Sequence, residues 1–396
     1  MQPAAAQNLA LLQAQLSRQM AFAGSQSSAY VYDLSDGQVL FSARAEAMRP
    51  PASVEKLYTA AAALQLLGPA ARLSTAVLGA GTLAPGGVWN GNLYLHGGGD
   101  PTFGSRTFIR RHYDGIGASV SALVGQLTRV RGIRAVTGAV VGDESYLDPR
   151  RGEPSSGYAF DPFLEGTLSA LSFNRGETGS QRGAHAPAAY AARELWAALR
   201  SVGVKVAGRW RTGASPSGAL PLASVSSPAV AQLLDLMLPP SDNFFAETLI
   251  KDLGVRFGGA GTTAAGAAVV KQTIAAAFGL HPQVVDGSGL SRADRTSAQQ
   301  VVALLTALAP TPDGAVLRSG LPVAGRSGTL EHRMRSTAAA GRCQAKTGTL
   351  IGSSNLAGYC NSASGHTLAF AFFDDGISTE LAHDVQDQMA IALAAY

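Results

Sequence analysis

Apolar and polar positions along the chain change rhythm twice. Leu9, Leu12, Leu16 and Met20 recur at helical spacing, which predicts an amphipathic helix over 5–22. Two strand-like runs, 29–34 and 39–42, flank Ser35-Asp36-Gly37, a hairpin signal. Residues 54–67 are strong helix formers, entered after Pro50-Pro51 and stopped by Gly68-Pro69. Beyond residue 72, short strand-like runs (74–78, 91–96, 135–141, 203–213) alternate with turns rich in Gly, Ser and Arg, such as 97–101 and 174–187. Helical periodicity returns at 228–237, 244–253, 260–280 and 296–309. The chain then reads strand 342–349, strand 353–360, strand 367–373 and helix 379–395. The expected organisation is a split α/β domain, 1–72 plus 223–396, interrupted by a β-rich insertion at 73–222. No internal repeat appears.

The last three strands bring the two cysteines into the argument. A turn at Leu350-Ile351-Gly352 pairs residues whose numbers sum to about 703, and Cys343 and Cys360 sum to 703. Directly opposed cross-strand cysteines lie within disulfide reach. The two readings are a bridge, which implies an oxidising compartment, and two unrelated buried thiols.

With 46% hydrophobic and 15% charged residues in 396, the chain is a packed globular protein of two or three domains. The net charge of +4 rests on 26 arginines against 5 lysines. These are scattered, with no basic run interleaved with aromatics, so nucleic-acid binding is not expected. No apolar run reaches the 18 or so residues that span a bilayer. Residues 1–20 lack a basic start and a continuous apolar core, so no secretory signal is expected there, as in a mature form with an added start Met.

With so few lysines, the places where they fall carry weight. Ser53-Val54-Glu55-Lys56, Ser241-Asp242-Asn243 and Lys346-Thr347-Gly348-Thr349 occur in that order. Each alone has an ordinary explanation: Ser53 as a helix cap with Lys56 a solvated lysine, Ser241 and Asn243 as caps, and Lys346 on a half-exposed edge strand. Together they are the signature of penicillin-reactive serine acyltransferases. A spacing of three puts Ser53 and Lys56 on one helix face. There a neutral Lys56 amine can take the serine proton, its pKa depressed by burial and by Lys346. Ser241 can relay a proton, and Asn243 can hold a substrate amide and bond Lys56. Lys346, Thr347 and Thr349 can grip a carboxylate. Gly348 would let a substrate backbone approach and add as a strand. The N–H groups of Ser53 and Thr349 are the expected oxyanion hole.

The chain resembles the low-molecular-mass class C penicillin-binding proteins, the D-alanyl-D-alanine carboxypeptidases/endopeptidases of peptidase family S13. Beyond the three motifs, Asp286-Gly287-Ser288-Gly289-Leu290-Ser291-Arg292, Leu168 to Asn174 and Ser327-Gly328-Thr329-Leu330 are family-like. The resemblance implies a three-layer α/β/α transpeptidase/β-lactamase-like domain with an antiparallel sheet. It makes Ser53 the acylated nucleophile, Lys56 the base, Ser241 the relay, Asn243 the amide binder and Lys346 an electrostatic support. Thr347, Gly348 and Thr349 become the substrate-binding strand. Ser53 and Ser241 are 188 positions apart, less than is usual in the family, so its outer inserted domain is expected to be reduced or absent. Asp143 lies where some relatives place an acid that binds the stem-peptide amine, or is a turn aspartate.

The partners implied are peptidoglycan peptides, with β-lactams as covalent inhibitors, in the periplasm or cell-wall space. The arginine excess fits that polyanionic setting as well as it fits solubility or codon bias. Neither metal nor cofactor is expected: His96, His112, His185, His281, His332, His366 and His383 show no ligand spacing. Two rivals stand beside this reading. One is a serine β-lactamase, for which no class A Glu-x-x-x-Asn loop occurs between the first two motifs. The other is a non-catalytic wall-binding protein of the same fold.

Overall fold

The computed structural model describes residues 3–177 and 185–396, and the side chains from residue 6 onward. Two compact units share the chain. One comprises Met1–Pro69, Leu234–Asp242 and Ala267–Tyr396; the other comprises Ala70–Leu233 and Asn243–Gly266.

The first unit is built on a five-stranded sheet in the order Cys343–Leu350, Ser353–Asn361, Thr367–Asp375, Ser28–Asp33, Gln38–Ala43. Every neighbouring pair is antiparallel. Ser353–Asn361 and Thr367–Asp375 are buried almost continuously rather than at alternate positions, because helices cover both faces. On one face Leu356, Leu368, Phe370 and Phe372 pack with Leu12, Leu16 and Met20 of the helix Pro3–Ala23 and with Met389 and Leu393 of Thr379–Ala395. On the other lies the helix Ala298–Leu308, whose Leu305 carbonyl accepts the Tyr359 hydroxyl at 2.7 Å. This is the expected three-layer α/β/α domain with an antiparallel sheet.

Cys343 and Cys360 face each other in the register read from the sequence and are joined, with Cα atoms 4.0 Å apart. Replacing both by alanine removes a cross-link between residues 17 apart in sequence. By chain entropy this is expected to cost about 3 kcal/mol, read as a lowered unfolding midpoint with penicillin reactivity retained.

The second unit carries a seven-stranded mixed sheet. Ser74–Ala84 pairs antiparallel with Val88–Gly97 and Leu220–Ser226, whereas the short strands Ala135–Val136 and Val140–Asp143 run parallel to Val88–Gly97. The run read as one strand at 135–141 is two, because Thr137 to Ala139 turn between them. The run 203–213 likewise divides into Lys205–Val206 and Trp210–Thr212. The insertion also holds helices that the sequence reading left out, such as Pro187–Ser201, whose Ala188, Ala191, Ala192, Leu195 and Leu199 enter the core. Of the loop read at 174–187, residues 178–184 lie outside the described residues.

The helix after the second motif, Asn243–Gly258, packs within this second unit, although the sequence placed it with 223–396. Its buried Lys251 reaches Asp148 at 2.6 Å, and its Asp252 accepts the Tyr146 hydroxyl at 2.8 Å. Those partners lie in the insertion, so the helix goes with them. No single helix among the described residues is long and apolar enough to cross a membrane.

Candidate active site

Ser53 sits inside a 3-10 turn, Ala52–Glu55, that runs straight into the α-helix Lys56–Leu67. The tighter winding matters: residues three apart eclipse in a 3-10 turn, so the Ser53 and Lys56 side chains stack. Lys56 Nζ lies 2.9 Å from Ser53 Oγ and donates to the Ser288 carbonyl at 2.8 Å. Lys56 is 0% exposed while Ser53 is half-buried. A solvated helix lysine is therefore ruled out, and of the pair it is the serine hydroxyl that solvent reaches.

The turn is held from two sides. Asn355 and Ser353, on the neighbouring strand, donate to the Pro50 carbonyl at 2.9 and 3.4 Å. From the other side comes the loop at Asp286, whose carboxylate accepts the N–H groups of Ser288, Gly289 and Ser291 at 3.2, 2.6 and 2.7 Å. That clasp fixes the Ser288 carbonyl on which Lys56 hangs. Gly289 has φ +82°, and a Cβ there would overlap the Ala52 carbonyl oxygen. Ala52 is itself left-handed at φ +47°. Such a conformation costs an L-residue about 1–2 kcal/mol, and here the surrounding contacts enforce it. Burial, then the neighbouring Asp286 charge, pushes the Asp294 carboxyl up, which lets two acids share this interior.

The third motif lies on Cys343–Leu350, at the edge of the sheet. Lys346 is 0% exposed and donates to the Thr347 carbonyl at 2.9 Å. Burial, and after it the Lys56 charge, holds its ammonium well below the ordinary lysine range. The Thr347 and Thr329 hydroxyls meet at 2.7 Å, and the Thr329 N–H donates to Pro239 O at 3.0 Å. The third motif is thereby tied to the turn that carries the second. There Ser241 is left-handed at φ +67°, its N–H bonded to Leu238 O, and Asp242 N–H bonds Met237 O. Ser241 is half-buried.

Gly348 stands against the protein's own backbone. Its missing side chain makes room for the protein itself: a Cβ there would stand 2.6 Å from Pro51 O and 3.0 Å from Ser53 N. The glycine lets the edge strand close on the turn that carries Ser53. Gly348→Ala is expected to move the two apart and slow acylation by about 10²-fold, the scale of a ~1 Å misplacement, while the fold survives. Stopped-flow acylation beside a melting curve checks this.

In the second unit, Asn243 opens the helix Asn243–Gly258, and its side-chain amide donates to Phe163 O at 2.7 Å. Asp143 is sealed inside that unit. One oxygen meets His96 Nδ1 at 2.9 Å and accepts the Ser215 hydroxyl and N–H at 2.6 and 2.9 Å. The other accepts Ser145 N–H at 3.0 Å. Burial pushes this carboxyl up, but the bonds from His96, Ser145 and Ser215 outweigh it and hold it low. Asp143 is fully buried and hydrogen-bonded through both oxygens, which is the pattern of the turn aspartate among the two readings. His366 meets Asp33 at 2.7 Å and Asp36 at 3.8 Å, an ion-paired cluster of metal-compatible groups on the hairpin side of the first unit.

Three supports were missed as functional residues: Ser288 under Lys56, Thr329 beside Thr347, and Asn355 behind Pro50. The first two fall in segments that stood out in the sequence, Asp286 to Arg292 and Ser327 to Leu330, but a backbone carbonyl and a buried threonine have no spacing signature. Asn355 had no signal.

The model of the D-Ala-D-Ala carboxypeptidase 3 (S13) family matches residues 8–159 and 164–396. A D-alanyl-D-alanine carboxypeptidase of Actinomadura sp. (strain R39) is 31% identical over 460 aligned positions, covering 95% of this chain and 82% of the relative. Carboxypeptidase DacB of Mycolicibacterium smegmatis is 32% identical, covering 87% and 75%. Among solved structures, penicillin binding protein 4 (dacB) of Haemophilus influenzae superposes with a TM-score of 0.80 at 22% identity, covering 94% of this chain and 97% of that one. The fold, the motif order and these matches agree, and the chain belongs to the D-Ala-D-Ala carboxypeptidase S13 family of peptidases.

Proposed function

We propose that the chain is a serine-type D-alanyl-D-alanine carboxypeptidase and endopeptidase of peptidoglycan stem peptides, working through an acyl-serine. The observation that carries this is the 2.9 Å contact of a half-buried Ser53 with a fully buried Lys56. Two buried lysines side by side disfavour two charges at once, and a neutral Lys56 amine is the form that a general base needs.

The Ser53 oxygen bonds to the carbonyl carbon of the penultimate D-alanine, and its proton passes to Lys56 Nζ. Strand parity supports the oxyanion hole. Ala345 N–H leaves the outer edge of the sheet toward Pro322 O, so Thr347 and Thr349, two and four residues on, direct their N–H groups the same way. Gly348, between those two threonines, is the residue packed against Ser53 N. The Ser53 and Thr349 N–H groups then hold the developing charge. The C–N bond breaks as Ser241 relays the proton to the leaving amine, and water later splits the ester by the same route. Asn243, continuous in chain with Ser241, is the amide binder. Thr347 and Thr349, with Lys346 behind them, take the terminal carboxylate, and the free outer half of the edge strand suits an extended peptide.

A β-lactam would acylate Ser53 and stay. A penicillin G-acylated predatory endopeptidase of Bdellovibrio bacteriovorus has this fold, at 18% identity and a TM-score of 0.57. The disulfide supports a site outside the cytoplasm, as the proposed wall substrate requires. The division into a split catalytic domain and a β-rich insert, with the outer domain reduced, fits an alignment to the Actinomadura relative that is longer than this chain. The test is release of D-alanine from a pentapeptide stem and cleavage of a D-centred cross-linked dimer. Release of neither would overturn the proposal.

A further inference from the structure

The second unit has a cleft of about 870 Å³ at the edge of its sheet, lined by the end of the helix Pro187–Ser201 and by residues 203–210. It gathers two of the chain's three tryptophans, Trp196 and Trp210; the third, Trp89, is core. The two indoles meet edge to face with centroids 5.1 Å apart, and Trp196 Nε1 donates to Gly208 O at 3.0 Å, which locks the pair. Each indole carries an exposed guanidinium: Arg200 stands 4.4 Å over Trp196 and Arg209 stands 5.1 Å over Trp210. Exposed Lys205 completes the lining. Among the described residues no carboxylate lines the cleft, in contrast with Arg193 nearby, which is paired with Glu194 at 2.8 Å.

Arginines held over aromatic faces give up part of their freedom before binding, and a guanidinium fork is suited to oxyanions. Two pinned guanidiniums and a lysine, with no internal counter-charge, form a receptor for several carboxylates at once. A cleft of this size takes more than one small ion. We infer that it is a second substrate site, binding the carboxylates of peptidoglycan stem peptides. This rests on the peptidase reading above, since the occupant is taken from the substrate proposed there.

The experiment sediments the full chain with purified insoluble peptidoglycan freed of secondary polymers and nucleic acid. Ser53→Ala is used as the parent so that the matrix is not digested. Adding Arg200→Glu and Arg209→Glu, both at exposed positions, is expected to weaken binding about tenfold or more and to flatten its salt dependence. Amidating the matrix carboxylates should abolish the difference. With Ser53 intact, the double variant should react with benzylpenicillin at the wild-type rate. Unchanged sedimentation of the double variant, or a loss that persists on the amidated matrix, would overturn the inference. So would preferential binding of single-stranded nucleic acid in the cleft. Normal penicillin acylation beside unchanged sedimentation strikes the cleft alone. No acylation of the wild type strikes the peptidase reading and the assigned occupant with it.

Discussion

Incubation with benzylpenicillin is expected to raise the mass of the wild-type chain by that of the whole antibiotic and to leave Ser53→Ala unchanged. Ring opening transfers the carbonyl to Ser53 Oγ without losing an atom, so the full mass is the signature of an acyl-serine. The same substitution should lower D-alanine release by about 10⁴-fold or more, because no second nucleophile can complete a covalent route once the serine is gone. The structure makes the assignment specific. Ser53 is half-buried and within 2.9 Å of an amine, while the turn around it is buried and clamped through Pro50, Ala52 and Gly348. A residual rate from the oxyanion donors alone is expected in the variant. An unmodified wild type with intact antibiotic would instead favour a non-catalytic wall-binding protein. An unmodified wild type with hydrolysed antibiotic would favour a β-lactamase.

What could be read from the sequence followed from how local the signal was. The disulfide was legible because both partners lie on one hairpin, whose turn fixes the register. The helix Pro3–Ala23 and the last three strands were legible by periodicity, since each packs one consistent face or is buried on both. The insertion was legible only as a change of rhythm: its strands at 135–136 and 205–206 are two residues long, too short for any period to register. The motifs marked the candidate catalytic residues but not what holds them in place. Asp286 fixes Lys56 through a carbonyl 232 positions away in sequence, and no pattern in the chain announces that distance. Gly348 was singled out as a place of close approach. Its spacing reveals that something must approach closely, and only the fold shows that the approaching backbone is the turn at Pro51 and Ser53.

Lys56→Ala is expected to slow acylation by about 10³-fold, within the range of a lost general base, and pH should separate this role from a structural one. Lys56 and Lys346 are both 0% exposed, and burial followed by the Lys56 charge lowers the Lys346 ammonium well below 10.5. Repulsion between two charges is mutual, so the pair titrates as a unit and resists carrying two protons. Acylation needs the neutral amine at Ser53. Its rate should therefore rise with pH along an acid limb. In Lys346→Gln the remaining ammonium loses its repulsive neighbour and is easier to protonate, so the limb should move to higher pH. Activity near neutrality should fall even though Lys56 and Ser53 are untouched. Folding stability gives an independent sign. The unfolded chain, with an ordinary Lys346, binds more protons than the folded chain between the lowered value and 10.5, so wild-type stability rises with pH across that window. Lys346→Gln should lack that rise. A limb that stays in place in Lys346→Gln would mean that the two lysines do not share a charge, and the electrostatic route to a neutral base would fall.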